Sequence, residues 1–322
     1  MNMAILGAGN IANMMARTMA GMSNVTSYAV ASRDLNKAEQ FAHEYQFQKA
    51  YGSYEELVND PKVDLIYIAT PHSFHFEHAK LCISHKKPVL CEKPFMVNAE
   101  QAKEIIGYAK EQGVFITEAM WTRYMPMRDK IKEVLDSGVI GTAHMLTANL
   151  GYKIDTVPRL QKPELAGGAL LDVGVYTLNF ASMVFGDDIS DVTSTCTYTD
   201  TGVDEQNSVT IAYKDGKMAV LNSSMKALSD RKGIIHGSKG FMIIENINNF
   251  ESITVYNEEY REIACYPCPK QITGFEYEVE ASIRAIMNGE LECPQMPHNE
   301  IMHMMQIMDN LRSEWDIKYP CE

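Results

Sequence analysis

Residues 3–12, MAILGAGNIA, join a short apolar run to closely spaced small residues. Gly7, Gly9 and Ala12 have the spacing G-x-G-x-x-A, which is typical of a strand that turns into a helix beneath a dinucleotide. Gly7 permits the tight turn, and Gly9 lets a pyrophosphate approach the backbone. The anion would bind the N–H groups that open the helix, at Asn10 and Ile11. The spacing therefore predicts a dinucleotide phosphate site, with a purely structural glycine turn as the alternative.

The second apolar run ends in AVASRD, where the 2′-position of a bound ribose would lie. An acidic residue at this tip would hold the 2′-hydroxyl of NAD, but the chain has Ser32 and Arg33 there. A hydroxyl and a guanidinium suit a 2′-phosphate, which a carboxylate would repel. Asp34 is the alternative ribose ligand, although it is better placed to cap the following helix. The pattern favours NADP over NAD.

The fourth apolar run leads into TPHSFHFEHA. Thr70 and Pro71 form the turn at the edge where open α/β sheets bind ligands, so both are candidate cofactor contacts. His72 and His75 are further candidates, with ordinary capping or packing as the alternative. Together with His78 they recur every third residue, which spreads them around a helix, and no cysteine or carboxylate completes a set. No metal site is predicted.

The fifth run, PVLCEKPFMV, is interrupted by charges where a buried strand should continue. Counting strands places Glu92 and Lys93 at the same carboxyl edge as the phosphate turn, and Pro94 ends the ladder because it has no N–H. A lysine at a strand end is usually a solvated charge. At this edge, Glu92 and Lys93 are candidates for cofactor binding and Lys93 for chemistry.

A second pair of candidate residues lies in GGALLDVGVYTLN. Asp172 and Tyr176 are four residues apart on a predicted helix, so they share one face. The alternative is that Asp172 caps the helix and Tyr176 packs in the core.

The elements that must position these residues follow from the hydrophobic pattern. Up to about residue 118, short β-branched runs alternate with helical patterns. This alternation predicts βαβ units and a doubly wound parallel sheet. Strands are predicted at residues 3–6, 27–31, 49–52, 64–70, 88–92 and 114–119, and helices near 10–21, 34–45, 53–59, 73–85 and 98–112.

After a helix at 126–138 the pattern changes to strands joined by Asp, Gly and Asn turns, which predicts a large, mostly antiparallel open sheet. The predicted fold is α/β: a Rossmann domain at 1–120 followed by an α+β domain at 121–322. Strands are predicted in the second domain at 142–153, 191–200, 206–213, 216–225, 232–237, 240–247 and 251–265, and helices at about 171–185, 275–288 and 298–313.

The composition of the chain narrows the kinds of partner and the cellular compartment that are expected. The 322 residues carry a formal net charge of -13, which argues against nucleic acid or an anionic membrane. No secretory leader and no apolar stretch of about 18 residues is evident, so a cytoplasmic protein is expected. The seven cysteines are scattered, which suits reduced thiols, and the pair Cys265 and Cys268 lacks a second ligand pair for zinc.

Taken together, the motifs resemble the Gfo/Idh/MocA family of oxidoreductases. Within it, the chain is most similar to the branch of trans-1,2-dihydrobenzene-1,2-diol dehydrogenases and NADP-dependent D-xylose 1-dehydrogenases. The motifs that carry the resemblance are GAGNIA, ASRD, IATPHSFHFEHA, CEKPF, EAMWTRYMP and GGALLDVGVYTLN.

The resemblance implies hydride transfer between NAD(P) and a small polyol, sugar or cyclic diol. It places Lys93 and Asp172 in the active site. Many family members have a histidine four residues after that Asp, whereas this chain has Tyr176, as the dihydrodiol branch does. The resemblance also implies a homodimer or higher homo-oligomer formed through the C-terminal sheet.

Four further residues take roles from the same resemblance. Trp121 and Arg123 would line the nicotinamide and substrate end, and Phe275 would add to the substrate pocket wall. Arg159, thirteen residues before Asp172, would contact the cofactor, with a surface cation as the alternative.

These residues suggest a mechanism. A phenol has an ordinary pKa of about 10, too high for a base at neutral pH. An ammonium about 4 Å away, at an effective dielectric of about 20, favours the phenolate by about 4 kcal/mol, or about three pKa units before desolvation. We therefore expect Tyr176 to be the acid/base, Lys93 to tune it and bind the reacting oxygen, and Asp172 to position Lys93 or a second hydroxyl.

Two other functions remain as alternatives. A catalytically inactive NAD(P)-sensing regulatory protein would need none of Lys93, Asp172 and Tyr176. An NAD-dependent glycosidase of the same family would favour an acidic tip on the second strand, where this chain has Arg33.

Overall fold

The chain passes twice through each of two structural units. The computed structural model describes residues 1–322. The first unit comprises Met1–Tyr124 and Gln271–Met305, and the second comprises Met125–Lys270 and Gln306–Glu322. Two separate stretches of sequence therefore build each unit.

The first unit also contains residues 271–305, which the predicted division at residue 120 did not place there. That division assigned residues 271–305 to the second domain, whereas they pack here with the first unit. Ile116 donates its N–H to the Leu291 oxygen at 3.1 Å, and His298 Nε2 lies 2.9 Å from the Ile116 oxygen. These bonds join stretches about 180 residues apart, a separation that no local pattern reports.

A doubly wound parallel sheet forms the centre of the first unit. Its strands are β1 (Asn2–Leu6), β2 (Thr26–Ala31), β3 (Lys49–Tyr51), β4 (Leu65–Ile68), β5 (Val89–Glu92) and β6 (Ile116–Ala119). They lie in the order β3-β2-β1-β4-β5-β6, and every neighbouring pair is parallel. The order reverses between β1 and β4, so this edge holds the switch point at which such sheets bind ligands. The predicted sheet is confirmed.

Three of the five helices between these strands begin at short polar side chains that cap them. Ser53 accepts a hydrogen bond from the Glu56 N–H, and Asn98 accepts one from the Gln101 N–H, as N-cap residues do. Gly113 ends its helix in the left-handed region, with φ of 63°. The helices are α1 (Asn10–Gly21), α2 (Leu35–Tyr45), α3 (Tyr54–Val58), α4 (His75–Ser84) and α5 (Ala99–Gln112).

An eight-stranded sheet forms the second unit. Its strands are β7 (Ala143–Gly151), β8 (Ile189–Tyr198), β9 (Asp204–Tyr213), β10 (Met218–Ser224), β11 (Gly233–Gly237), β12 (Gly240–Glu245), β13 (Ser252–Asn257) and β14 (Glu262–Pro267). They lie in the order β14-β13-β12-β11-β7-β10-β9-β8. Only β7 and β10 pair in parallel, so the predicted mostly antiparallel sheet is confirmed.

Residues 251–265, predicted as one strand, are two. The break follows Asn257, whose side-chain oxygen accepts hydrogen bonds from the N–H groups of Glu259 and Arg261. Tyr260 has a left-handed backbone with φ of 61°. This turn carries no glycine or proline, and for that reason the sequence did not signal it.

The remaining helices are α6 (Pro126–Asp136), α7 (Val175–Phe185), α8 (Glu276–Met287) and α9 (His298–Glu314). By length and composition one helical segment, Pro163–Phe185, could cross a membrane, which the sequence analysis did not identify. Within it, 78% of the most apolar window is buried inside the protein. The segment is therefore apolar because it forms core.

Candidate functional site

The turn between β1 and α1 has the geometry of an anion site. Gly7 has φ of +103°, and a Cβ there would lie 3.0 Å from the Ala69 oxygen, so glycine is required. Gly9 caps α1 without a side-chain hydrogen bond, and no acidic residue occupies the first turn. The backbone N–H groups at Asn10 and Ile11 therefore face no competing carboxylate, as phosphate binding requires.

The tip of β2 presents a hydroxyl and a cation. The Ser32 hydroxyl accepts a hydrogen bond from the Asp34 N–H at 3.2 Å. Asp34 in turn accepts hydrogen bonds from the N–H groups of Asn36 and Lys37 at the start of α2. The predicted capping role of Asp34 is confirmed, which leaves Ser32 and Arg33 as the candidate ribose contacts.

Aromatic side chains support Arg33 at this tip. Its guanidinium carbon lies 5.6 Å from the centroid of the Phe74 ring, within the range of cation–π attraction. Burial raises the pKa of Tyr54, the first residue of α3, and the charge of Arg33 opposes that rise. Phe74 ends the short 3₁₀ helix His72–Phe74 that follows β4. Neither aromatic residue was predicted from the sequence to lie near Arg33.

Two of the histidines after β4, His75 and His78, are hydrogen-bonded within the protein. His75 is 0% exposed, with Nδ1 2.9 Å from the Pro94 oxygen and Nε2 2.9 Å from the Thr70 oxygen. His78 Nδ1 lies 2.9 Å from the Thr70 hydroxyl, and burial lowers the pKa of His78 to about 4. Both nitrogens of His75 face main-chain oxygens, so the geometry matches the packing alternative for His75 and not a direct cofactor contact. His72 is buried beside it.

The turn after β5 contains Lys93, which is half-buried. The Lys93 N–H donates to the Glu92 carboxylate at 3.1 Å, and Glu92 also accepts a hydrogen bond from the buried Tyr67 hydroxyl. The peptide bond between Lys93 and Pro94 is cis. Glu92 is therefore bonded within the protein, and its predicted role at the cofactor stays a prediction.

Two buried acids of the first unit were missed by the sequence analysis. Glu118, on β6, accepts a hydrogen bond from the Phe95 N–H at 2.9 Å, and burial raises the pKa of Glu118 to about 7. Glu278, on α8, is fully buried with no hydrogen bond to either carboxyl oxygen. Burial, with the charges of Glu92 and Glu118, raises its pKa well above the ordinary value. A charged residue inside an apolar strand was the signal available for Glu118.

Three predicted substrate contacts lie in the first unit. The rings of Trp121 and Phe275 stack with centroids 4.3 Å apart and planes at 19°, so these two residues lie together, and their contact with substrate stays a prediction. Arg123 is 4% exposed and forms an ion pair with Glu300. The Glu300 pairing anchors the guanidinium, and a contact of Arg123 with substrate stays a prediction.

Asp172 and Tyr176 lie on one helical segment of the second unit, as predicted. It opens with a π-helical stretch, Leu170–Gly174, that continues into α7; such stretches occur often at functional sites. Asp172 is 6% and Tyr176 8% exposed. Arg159 Nη2 lies 2.8 Å from Asp172 Oδ1. Arg159 is thus an ion-pair partner of Asp172, a contact that the sequence analysis did not predict.

A buried carboxylate places the start of this helical segment. Asp204, the first residue of β9, accepts hydrogen bonds from the Leu170 N–H at 2.7 Å and from Asn207 Nδ2 at 2.9 Å. Burial raises the pKa of Asp204 to about 6. Gly168 has φ of +108°, and a Cβ there would lie 2.3 Å from Asp204 Oδ1. Glycine at position 168 is therefore needed for the close approach of Asp204.

Three features define a dinucleotide-binding protein of the Rossmann class. They are the glycine turn after β1, the reversal of strand order beside it, and the N-terminus of α1, which no side chain caps. Comparison with family models is consistent with this class. Residues 1–120 match the oxidoreductase family with an NAD-binding Rossmann fold, GFO/IDH/MocA, and residues 129–243 match the GFO/IDH/MocA C-terminal domain. The chain belongs to the GFO/IDH/MocA family of NAD(P)-binding oxidoreductases, and the predicted family is confirmed.

Characterised relatives are similar over nearly the whole chain. The trans-1,2-dihydrobenzene-1,2-diol dehydrogenase of Xenopus tropicalis is 35% identical over 98% of this chain and 98% of its own length. The mouse protein of the same name is 34% identical over 98% and 97%. Both domains of these relatives are thus present here.

Solved structures show the same fold. A 3-ketoreductase from Actinomadura kijaniata, in complex with NADP and TDP-benzene, has a TM-score of 0.89 at 20% identity and covers 97% of each chain. A levoglucosan dehydrogenase, in complex with NADH and L-sorbose, has a TM-score of 0.85 at 18% identity and covers 98% of this chain and 96% of its own. At this identity the similarity establishes the fold.

Proposed function

We propose that this protein is a dehydrogenase acting on CH–OH groups, which transfers hydride between NADP and a secondary alcohol or hemiacetal carbon of a sugar or cyclic diol. The observation that carries the proposal is the match to trans-1,2-dihydrobenzene-1,2-diol dehydrogenases, at 35% identity over 98% of both chains. A match across both domains includes the substrate-binding part, whereas a Rossmann domain alone would indicate only a nucleotide.

The proposed preference for NADP rests on the tip of β2. Ser32 and Arg33 directly follow β2, where a 2′-phosphate is expected to bind, and Asp34 is engaged in capping α2. The guanidinium of Arg33, which lies over the Phe74 ring, is a group well suited to bind a phosphate. The pyrophosphate would bind at Gly7, Gly9 and the open N-terminus of α1, where the required space and N–H groups are present.

In the proposed chemistry, the nicotinamide supplies the position that accepts or donates hydride. Tyr176 takes the hydroxyl proton during oxidation and returns it during reduction. Lys93 binds the reacting oxygen and stabilises the phenolate of Tyr176 by its charge. Asp172 positions Lys93 or a second hydroxyl of the substrate. Its ion pair with Arg159 fixes the direction of the carboxylate.

The test of the activity is absorbance at 340 nm with a panel of sugars and cyclic diols, D-xylose, D-glucose and trans-dihydrobenzenediol included, with NADP⁺ and NAD⁺ in parallel. Reduction of NADP⁺ by at least one of these alcohols supports the proposal. A protein that binds NADP⁺ but turns over none of the panel would instead match the sensing alternative.

The catalytic roles are tested with two variants. We expect Tyr176→Phe to lower kcat about 10²–10⁴-fold, because the positioned acid/base is lost, and Lys93→Met to lower it as strongly. If Tyr176→Phe retained near-normal turnover while Lys93→Met was inactive, the base would be Lys93 and the role proposed for Tyr176 would be wrong.

We also propose that the protein is a cytoplasmic homodimer that associates through the sheet of the second unit. Exposed short side chains on neighbouring strands, among them Thr195, Thr197 and Asn222, line an open groove of about 360 Å³ on this sheet. Light scattering with size exclusion checks the mass. A Thr195→Arg variant, with a charge in the centre of the proposed contact, should shift the protein towards the monomer.

A further inference from the structure

The turn that carries Lys93 receives its hydrogen bonds from side chains. β5 ends at Glu92, and Pro94 has no N–H to donate. Three main-chain groups of the turn are each bonded to a side chain. The Lys93 N–H donates to Glu92 at 3.1 Å, the Pro94 oxygen lies 2.9 Å from His75 Nδ1, and the Phe95 N–H donates to Glu118 at 2.9 Å.

The three bonding side chains come from three different elements, β5, α4 and β6. Glu92 is 6%, His75 0% and Glu118 2% exposed. Titratable groups are costly to bury, so a position that serves only packing would be filled more favourably by an apolar side chain. Here each one is bonded to the backbone beside Lys93, which indicates a positional role.

His75 adds a second connection. Its other ring nitrogen lies 2.9 Å from the Thr70 oxygen, so the ring lies between the turn after β4 and the turn after β5. Carbonyl oxygens only accept, and a neutral imidazole has one N–H. A neutral ring thus donates to one of the two oxygens and a doubly protonated ring to both. Burial lowers the pKa of His75, which favours the neutral ring.

We infer that His75 and Glu118 are positioning residues for catalysis, which aim Lys93 by fixing the main chain at Pro94 and Phe95. The inference rests on the proposed function, because it takes Lys93 to be the group that binds the reacting oxygen. Neither side chain needs to touch substrate or cofactor for this role. A displacement of a catalytic group by about 1 Å can cost about 10²-fold in rate.

A positioning role for Glu118 affects kcat and not the affinity for the cofactor. The phosphate turn lies between β1 and α1, and the ribose contacts lie at the tip of β2, so neither depends on the Phe95 N–H. Loss of the Glu118 bond should therefore lower kcat and leave the affinity for NADP⁺ nearly unchanged. A general loosening of the first unit would lower both together with the melting temperature.

The experiment compares conservative and disruptive variants of the full-length protein. Glu118→Gln keeps an oxygen that can accept the Phe95 N–H, and we expect kcat within about 3-fold of the wild type. Glu118→Met has similar volume but no acceptor, and we expect kcat to fall about 10–100-fold. For the histidine, His75→Phe removes both nitrogens and should behave like Glu118→Met.

Glu278→Met is the matched control. Glu278 is also a fully buried acid of the first unit, but no hydrogen bond joins its carboxyl group to the turn. We expect this variant to keep kcat within about 3-fold of the wild type. Isothermal titration of NADP⁺ and thermal melting are measured for every variant, so that a folding defect is seen separately.

Two results would overturn the inference. One is that Glu118→Met and His75→Phe both keep a near-normal kcat. The other is a fall in kcat that Glu278→Met and Glu118→Gln share equally. The Lys93→Met variant distinguishes failure of this inference from failure of the proposed function. If Lys93→Met is active, Lys93 has no catalytic role and the inference fails with the proposed function. If Lys93→Met is inactive while Glu118→Met is active, only the positioning role is overturned.

Discussion

Single side chains in the first unit owe their properties to a few close neighbours. Arg33 is exposed, yet its guanidinium carbon lies 5.6 Å from the centroid of the Phe74 ring, within the range of cation–π attraction. Glu118 is buried, and the main effect on it is the loss of water, which raises its pKa. The first arrangement bears on cofactor choice, and the second bears on stability as a function of pH.

For cofactor choice, we expect Arg33→Ala to lower kcat/KM for NADP⁺ about 10–100-fold while that for NAD⁺ changes little, because only NADP⁺ carries the 2′-phosphate. Phe74→Leu removes a cation–π contact of about 0.5–1 kcal/mol and should lower kcat/KM for NADP⁺ about 2–5-fold. Steady-state kinetics with both cofactors measure the ratio. A wild type that prefers NAD⁺ would contradict this account of the β2 tip.

For stability, the carboxyl of Glu118 has its pKa raised from an ordinary 4.5 to about 7 in the folded state. Between these values the folded state holds a proton that the unfolded state has lost. The contribution is therefore fully present below about pH 4.5 and is lost as pH rises through 7, by up to about 1.4 kcal/mol per pH unit. Urea unfolding of Glu118→Gln from pH 5 to 7 should show a smaller fall than the wild type. Equal falls would show that Glu118 does not titrate in this range.

Among the elements, the segment that carries Asp172 and Tyr176 depends on contacts outside itself. The Leu170 N–H at its start is bonded by Asp204 of β9, which replaces the usual capping side chain. Asn207 donates to the same carboxylate, and the Ser223 hydroxyl donates to Asn207 at 2.8 Å. The segment that carries Asp172 and Tyr176 is thus held in place by a buried polar network that reaches β10.

We expect Gly168→Ala to lower the free energy of unfolding by about 1–3 kcal/mol, because a Cβ at this positive φ would also meet Asp204 at 2.3 Å. Gly216→Ala is the control: its φ is +87°, but no atom lies within 4 Å of the added Cβ. It should cost less, and the difference reports the Asp204 contact. Chemical denaturation of both variants checks this, and equal losses would mean that backbone strain alone is responsible.

At the scale of the whole molecule, the segment 271–305 completes the first unit. β6 is an edge strand of the parallel sheet, and the outward N–H and C=O of Ile116 are bonded to Leu291 and His298. Unpaired strand edges promote association between chains. The first unit therefore needs residues that follow the second-unit sheet in the sequence.

We accordingly expect a chain ending at residue 270 to aggregate, because its β6 edge and the space left by α8 would be exposed and the second unit would also lose residues 306–322. Size exclusion and thermal melting compare it with the full-length protein prepared in the same way. A monodisperse truncated chain with a cooperative transition near that of the full-length protein would show that 271–305 is dispensable for folding.

Much of this architecture was determined by the sequence alone. The alternation of apolar runs with helical patterns predicted the strands, their parallel pairing and the sheet edge at which Lys93 lies. Turn and cap chemistry predicted the tight turn at Gly7 and the capping of α2 by Asp34, since both depend on neighbours only a few residues away. These features are local, and physical preferences over short stretches are sufficient to specify them.

Only the tertiary structure decided which side chains bond which partners across the fold. Glu118 bonds a backbone N–H 23 residues earlier, and Arg159 bonds Asp172 thirteen residues later. Residues 271–305 were assigned to the second domain from their order along the chain, yet they pack with the first unit. Such contacts are set by the packing of elements against one another, which periodicity and turn chemistry do not encode.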